Sequence, residues 1–190
     1  MNVLVIAEKS PIKQQRALYL LHPYTTMLIS SLGEDNSPNI MAVAWIIPVS
    51  VKPPLLVMSI RPERYSYELI ETSKEFIVNI PDYQLVKKVL FCGRRTGRKH
   101  NKFSELGLTP DAAQIVKAPI IKECIGHLEC KVKEILKRGD HNLIFGEIVT
   151  AYVTKGYFTD YYDLDKFQPC LHLGKNVFTT CINDITEPEL

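Results

Sequence analysis

Apolar residues in this chain come in short runs punctuated by glycine and proline. Residues 39–47, NIMAVAWII, are apolar at every position after the asparagine. That pattern predicts a strand buried on both faces. Pro48 follows, and a mid-strand place is not expected for it, because proline lacks the ladder N–H. Lys52-Pro53-Pro54 breaks the chain again, and residues 55–60 resume as a strand. Residues 25–32 and 75–80 read as strands on either side, and GEDNSPN at 33–39 reads as a loop.

Later in the chain the pattern alternates. Leu128, Cys130 and Val132 share one face, and His127, Glu129, Lys131 and Lys133 share the other. A half-exposed antiparallel strand over 125–136 follows from that period of two. Arg138-Gly139-Asp140-His141 is a turn, and residues 143–153 return as the second strand of a hairpin. Short helices are expected at 12–21, with Ser10 as N-cap and Pro11 in the first turn, at 65–72, at 82–90, and within 93–108. Residues 1–10 read as a short strand or loose arm, and 118–121 as an extended connector. Six or more strands with short helical inserts, and no regular strand–helix alternation, point to a mainly β fold: a closed antiparallel barrel. No G-x-G-x-x-G occurs, which argues against a Rossmann dinucleotide site.

The 190 residues, 46% hydrophobic and 23% charged, suit one domain over 1–190 with a sizeable core. A net charge of +2 provides no global field for nucleic acid or an anionic membrane, so any phosphate recognition is local. The five cysteines are scattered and odd in number, which fits free thiols in a reducing interior. The N-terminal run makes a poor signal peptide, and no apolar stretch reaches membrane-helix length. A cytoplasmic protein without membrane or nucleic-acid partners is the expectation.

Local chemistry gathers in a few places. Around Ser59-Ile60-Arg61-Pro62-Glu63-Arg64-Tyr65-Ser66, arginines and hydroxyls lie beside a helix start, which suits a phosphate; the same pattern is also that of a solvated loop with Ser66 as N-cap. Arg94, Arg95, Arg98, Lys99, His100 and Lys102 form a basic knot with Gly93 and Gly97, readable as a surface run, a nucleic-acid patch or a phosphate clamp. Strand 39–47, with the only tryptophan, Trp45, reads as a core strand or as the wall of a flat heteroaromatic ring. Cys124, His127 and Cys130 do not make a metal site, because strand geometry puts His127 on the face opposite the two cysteines. His141 and His172 are solvent-exposed turn residues or ligand contacts.

In order and spacing, the blocks NIMAVAW (39–45), PPLLVMSIRPERYSYELI (53–70), EFIVNIP (75–81), GRRTGRKHNKF (93–103), GHLECKV (126–132), GDHNLIFGEIV (139–149) and HLGKNVF (172–178) resemble the flavin reductase-like FMN-binding split-barrel family, which includes flavoredoxin and archaeal ferric reductase. The resemblance covers about 24–178. It implies a six-stranded antiparallel Greek-key split barrel with short peripheral helices, and a homodimer with FMN near the subunit interface. On that basis Asn39, Ala44 and Trp45 belong to the flavin-lining strand, and Ser59, Ile60 and Arg61 follow the ring and ribityl chain. Ser66, Arg98 and Lys102 hold the phosphate, His141 approaches the flavin from the partner subunit or the far side of the barrel, and Phe178 lies near the ring. Lys175 departs from the family, standing where relatives often carry a second glycine. The implied function is an NAD(P)H-dependent flavin or ferric-chelate reductase. NADH or NADPH is the transient donor, the redox chemistry rests on FMN, and no side chain is catalytic unless His141 contributes. The alternative is a non-enzymatic FMN electron carrier reduced by a protein partner.

Overall fold

The computed structural model describes residues 8–186. The strand or arm expected over 1–10 lies largely outside them. In chain order the strands and helices are β1 (Tyr24–Thr25), β2 (Met27–Leu32), β3 (Pro38–Val43), β4 (Ile46–Ser50), β5 (Leu55–Ile60), α1 (Tyr65–Ser73), β6 (Glu75–Ile80), α2 (Val86–Arg94), α3 (Lys102–Leu106), β7 (Pro110–Asp111), β8 (Ile120–Ile121), β9 (Gly126–Arg138), β10 (His141–Val153), β11 (Leu171–Gly174) and β12 (Val177–Thr179). A 3₁₀ helix, Gln14–Leu21, precedes them.

The main sheet is antiparallel, in the order β3-β2-β6-β9-β10-β5-β4. It curls on itself. Ile29 and Val43, near one end of that order, share a core with Leu56, Met58 and Ile60 of β5 near the other end, and with Phe76, Val78, Cys130 and Ile144 from the strands between. Tyr67 and Ile70 of α1 close the same core. Each large aliphatic or aromatic side chain fully buried there is worth about 1.5–3 kcal/mol of transfer free energy. Gly146 makes room for one of them: a Cβ at that position would sit 2.6 Å from the Phe76 ring. The alternate residues Leu28 and Ile40 face outward, where Val89, Cys92, Phe103 and Cys170 cover them. Strands β2 and β3 are therefore buried on both faces, with α2 and α3 as the second layer.

The strand expected over 39–47 breaks at Ala44 and Trp45 into β3 and β4. Burial on both faces stops there: Trp45 is 40% and Ile47 58% exposed. This break gives the main sheet a seventh strand beyond the six expected. Pro48 lies inside β4, paired with Leu56. Because β4 is the sheet edge, the missing N–H costs no ladder bond. The first helix differs too. Ser10 does not cap it; it begins after Lys13, without a side-chain cap bond, is 3₁₀ rather than α, and buries none of its residues. Lacking a packed face, it lacks the main source of helix stability.

The polar face of β9 is exposed only in its second half, because His127 and Glu129 are buried. The segment 113–119 covers Glu129, while Asn79 and Tyr152 contact His127. Glu129 accepts hydrogen bonds from the amides of Gln114, Ile115 and Val116 at 2.7, 2.7 and 2.9 Å, and from the Tyr152 hydroxyl at 3.0 Å. The expected hairpin of β9 and β10 turns at Gly139 and Asp140, with Arg138 opposite His141. A small sheet, β1-β11-β12, ties the C-terminal hairpin to the start of the barrel.

Candidate functional site

Three helix ends converge on the outer face of β3. The chain leaves β5, crosses Arg61-Pro62-Glu63 and enters α1 with Arg64 as an extended N-cap that lacks a side-chain cap bond. Ser66 is therefore inside the first turn rather than the capping residue. The first amides of a helix have no intrahelical acceptor, and this end carries the positive side of the helix dipole. Asn101 caps α3 by accepting from the Ser104 amide at 3.1 Å, which starts that helix with Lys102 pointing back into the protein. The last turn of α2 brings Cys92 and Gly93 against β3, with the position of a Gly93 Cβ 3.4 Å from Ala42 Cβ.

Between these ends lies a cleft of about 200 Å³ lined by Ala42, Arg64, Ser66, Gly93, Arg95 and Lys102, among others. Lys102 is 3% exposed. Its Nζ donates to the carbonyls of Ile40 at 2.5 Å and Cys92 at 3.0 Å. The second of these is one of the orphan carbonyls at the C-terminal end of α2. No carboxylate pairs with Lys102 among the described residues. Burial pushes its pKa down to about 8, and the like charge of Arg64 adds to that. A buried ammonium held only by carbonyls is costly, and an anion in the cleft relieves it.

The floor of the cleft is fixed by Asn39. Its Nδ2 donates to Ser66 Oγ at 2.7 Å, and its Oδ1 is buried without a partner. Gly97 covers that oxygen so closely that a Cβ would lie 2.0 Å from it. A second cavity of about 170 Å³ adjoins across Ala42 and Gly93, reaching Thr26, Ala44, His172 and Phe178. Together the two spaces reach the lower end of the ~300–1,000 Å³ typical of small-molecule sites. A larger groove of about 680 Å³ lies beyond Tyr65, but four carboxylates, Glu34, Asp35, Glu68 and Glu75, line it against one ammonium, Lys117, whereas the cleft sets three cations, Arg64, Arg95 and Lys102, against Glu63; the groove's net negative charge disfavours an anion.

The structure brings Ala44, Ser66, Lys102 and Phe178 to these two connected spaces; Asn39 lies beneath them, bonded to Ser66. Arg98 stands beside them: its guanidinium lies 4.7 Å from the centroid of the Tyr65 ring and pairs with Glu68, while Arg64 and Arg95 are the arginines that line the cleft. Trp45, Arg61 and His141 form a separate cluster. The Trp45 and His141 rings lie 5.0 Å apart, His141 Nδ1 is 2.7 Å from Asp140, and Arg61 reaches the other oxygen of Asp140 at 2.9 Å. The bond from His141, aided by the charge of Arg61, holds the Asp140 carboxyl below its usual range. Ser59 connects to this cluster by donating its amide to the Trp45 carbonyl at 2.9 Å, and Ile60 faces the core. Thr26 carried no signal in the sequence, since a lone threonine at a strand start has no distinguishing neighbour. Cys124, His127 and Cys130 diverge: the two cysteines enter different clusters, and His127 Nδ1 contacts Asn79 Oδ1 at 2.9 Å.

A curled antiparallel barrel with a basic cleft opening into an apolar cavity is the frame of a cofactor-holding split barrel. The chain belongs to the flavin reductase like domain family, which it matches over residues 19–173. A protein of Archaeoglobus fulgidus is 40% identical over 174 residues, covering 90% of this chain and 96% of its own. The structure of flavoredoxin from Methanosarcina acetivorans superposes with a TM-score of 0.83 at 30% identity, covering 97% of this chain and 96% of that one. A split barrel domain protein from Shewanella frigidimarina shares the fold at 21% identity, with a TM-score of 0.82 and 94% of each chain covered. The protein is thus a flavin-linked oxidoreductase or electron carrier on a split barrel. No helix of the described residues is long and apolar enough to cross a membrane.

Proposed function

We propose that the protein binds FMN and is an NAD(P)H-dependent oxidoreductase. The observation that carries this reading is the buried, carboxylate-free ammonium of Lys102 at a helix N-terminus. Lys102, Ser66 and Arg64 hold the phosphate, with Arg95 on the rim and Arg98 as an outer charge. Asn39 orients the Ser66 hydroxyl by donating to it. Ala44 and Phe178 are the residues assigned to the ring; Trp45, Ser59, Ile60 and Arg61, expected beside the ring and ribityl chain, line neither space, and Ile60 faces the core. When bound, FMN supplies the redox chemistry, accepting hydride from NADH or NADPH and passing electrons to a free flavin, a ferric chelate or a redox protein. The side chains bind, orient and exclude water.

A homodimer fits the remaining surface. The outer strand β4 is an unpaired edge with Ile47 and Val49 exposed, and Val51 in the turn after it is exposed too, which is unusual for a monomer. The Trp45–His141 cluster stands away from the Lys102 cleft, in keeping with a role in completing a second copy's site. The free cysteines suit a reducing compartment, the cytoplasm.

The test is spectroscopic. Protein reconstituted with FMN is titrated anaerobically with NADH and NADPH, and the flavin band bleaches with at least one of them. Retained FMN that neither donor bleaches, but that a protein reductant does, identifies the electron carrier instead, a reading favoured by the 30% identity to a flavoredoxin. Lys102→Ala together with Ser66→Ala abolishes FMN retention while the circular dichroism stays native. Undiminished FMN affinity in the folded double variant removes the phosphate assignment.

A further inference from the structure

The net charge of +2 conceals a polarity. Three segments, 9–33, 86–104 and 167–183, hold eleven lysines and arginines and no aspartate or glutamate, although the chain has 21 acidic residues. The fold joins these segments. Strand β1 pairs with β11, and Arg94 at the end of α2 donates to the Lys175 carbonyl in the β11–β12 turn at 2.5 Å. The 3₁₀ helix Gln14–Leu21 adds to the same face. Residues three apart eclipse in such a helix, so Lys13, Arg16, Tyr19 and His22 form one stripe along it and its two flanking residues. That stripe rests on β11 and its turn: a Cβ at Gly174 would sit 2.7 Å from the Tyr19 ring, and the His22 and His172 rings are 5.3 Å apart. Lys13 and Arg16 thus extend the cationic edge begun by Arg94 and Lys175. None of these four cations is in an ion pair among the described residues. Beside the stripe, Leu18, Leu20 and Leu21 are 53%, 73% and 62% exposed.

The hairpin beneath this face also carries His172 and Phe178, which line the space given to the flavin ring. We propose that the face docks an acidic one-electron carrier protein, which delivers electrons beside that space. The inference rests on the flavin reading and names the chemistry of its partner. Exposed leucines bordered by unpaired cations suit a protein contact with an apolar centre and a carboxylate rim. A second copy is disfavoured, because an isologous contact centred here sets cation against cation. Two carrier molecules are each oxidised by one electron, and these two electrons with two protons from solvent reduce FMN to FMNH2.

The probe is a reduced, acidic plant-type [2Fe–2S] ferredoxin, mixed anaerobically with the FMN-loaded protein in a stopped-flow spectrometer. Bleaching of the flavin band slows by about tenfold as NaCl rises from roughly 50 to roughly 500 mM. Lys13→Glu combined with Arg16→Glu lowers the low-salt rate about tenfold and flattens the salt dependence, while photoreduction mediated by deazariboflavin is unchanged. A rate indifferent to salt, or unchanged in the double variant, overturns the proposal. So does a fall from dimer to monomer in the double variant by light scattering, which assigns the face to a second copy. Sedimentation of the parent, but not of the double variant, with phosphatidylserine vesicles at about 150 mM salt assigns it to a membrane and also overturns the proposal. Calorimetry of the FMN-free chain with oxidised ferredoxin separates the two readings. Binding that the double variant loses keeps the docking face even where FMN is not retained, and absence of binding removes it.

Discussion

Replacing Lys102 by methionine tests whether the cleft holds an uncompensated charge. Burial lowers the Lys102 pKa from 10.5 to about 8. At 1.36 kcal/mol per unit, the penalty for keeping this ammonium charged in the folded, ligand-free chain is about 3 kcal/mol. The unfolded chain holds the proton up to about pH 10.5, whereas the folded chain releases it near 8. Between those values the unfolded state binds more protons, so this group makes stability rise with pH. Buried thiols oppose it. Burial raises the pKa of Cys92 to about 11, and those of Cys130 and Cys170 to about 12, so their contributions fall as pH rises above 9. The diagnostic quantity is therefore the difference between parent and Lys102→Met, measured by urea unfolding without ligand from pH 7 to 10.5. Methionine also strands the Ile40 and Cys92 carbonyls, but that cost is independent of pH. The parent gains about 3 kcal/mol on the variant across this range. Saturating FMN flattens the gain, because an anion beside Nζ returns its pKa toward the ordinary value. A flat difference in the ligand-free proteins would refute the account of Lys102.

Three further substitutions probe the scaffold. Glu129→Gln turns an amide toward the backbone donors of 114–116 and destabilises the fold by about 2–4 kcal/mol in urea unfolding at pH 7. Its backbone hydrogen bonds hold the Glu129 carboxyl below 4.5 despite burial, so its contribution is full above 4.5 and lost as pH falls through the lower folded value; the variant accordingly shows a shallower acid limb. Gly97→Ala forces a methyl against Asn39 Oδ1, costing about 1–3 kcal/mol in thermal unfolding and releasing FMN on gel filtration. Lys175→Gly relieves a φ of +54° and raises the unfolding temperature by roughly 2–4 °C, with the carbonyl still available to Arg94 and His172.

The elements that were legible in the sequence are those fixed by near neighbours. Residues 55–60 and 75–80 are short apolar runs bounded by turn formers, and they became β5 and β6 with the expected limits. The Gly139-Asp140 turn sits between two alternating runs, so the β9–β10 hairpin followed. The break at Ala44 was not legible, because nothing local separates NIMAV from WII; what divides them is a change of partner, β2 on one side and β5 on the other. The polar face of β9 misled for a similar reason. His127 and Glu129 alternate like exposed residues; the loop at 113–119, held by Glu129 itself, covers Glu129, and Asn79 and Tyr152 close over His127.

The site divides along the same line. Arginines and lysines near glycines mark a basic loop, and an arginine pair before a short helix marks a candidate phosphate end. Which of those cations faces the ligand depends on burial, which belongs to the folded chain. Lys102 turns inward because Asn101 starts α3 just before it and the α2 carboxyl end offers an acceptor. Arg98, four residues earlier, is drawn outward by Glu68 and the Tyr65 ring. The same basic run thus supplies one buried charge that needs an anion and one surface charge already paired. Of the two, the buried one has more to gain from a bound phosphate, because the penalty it relieves is present in the ligand-free fold.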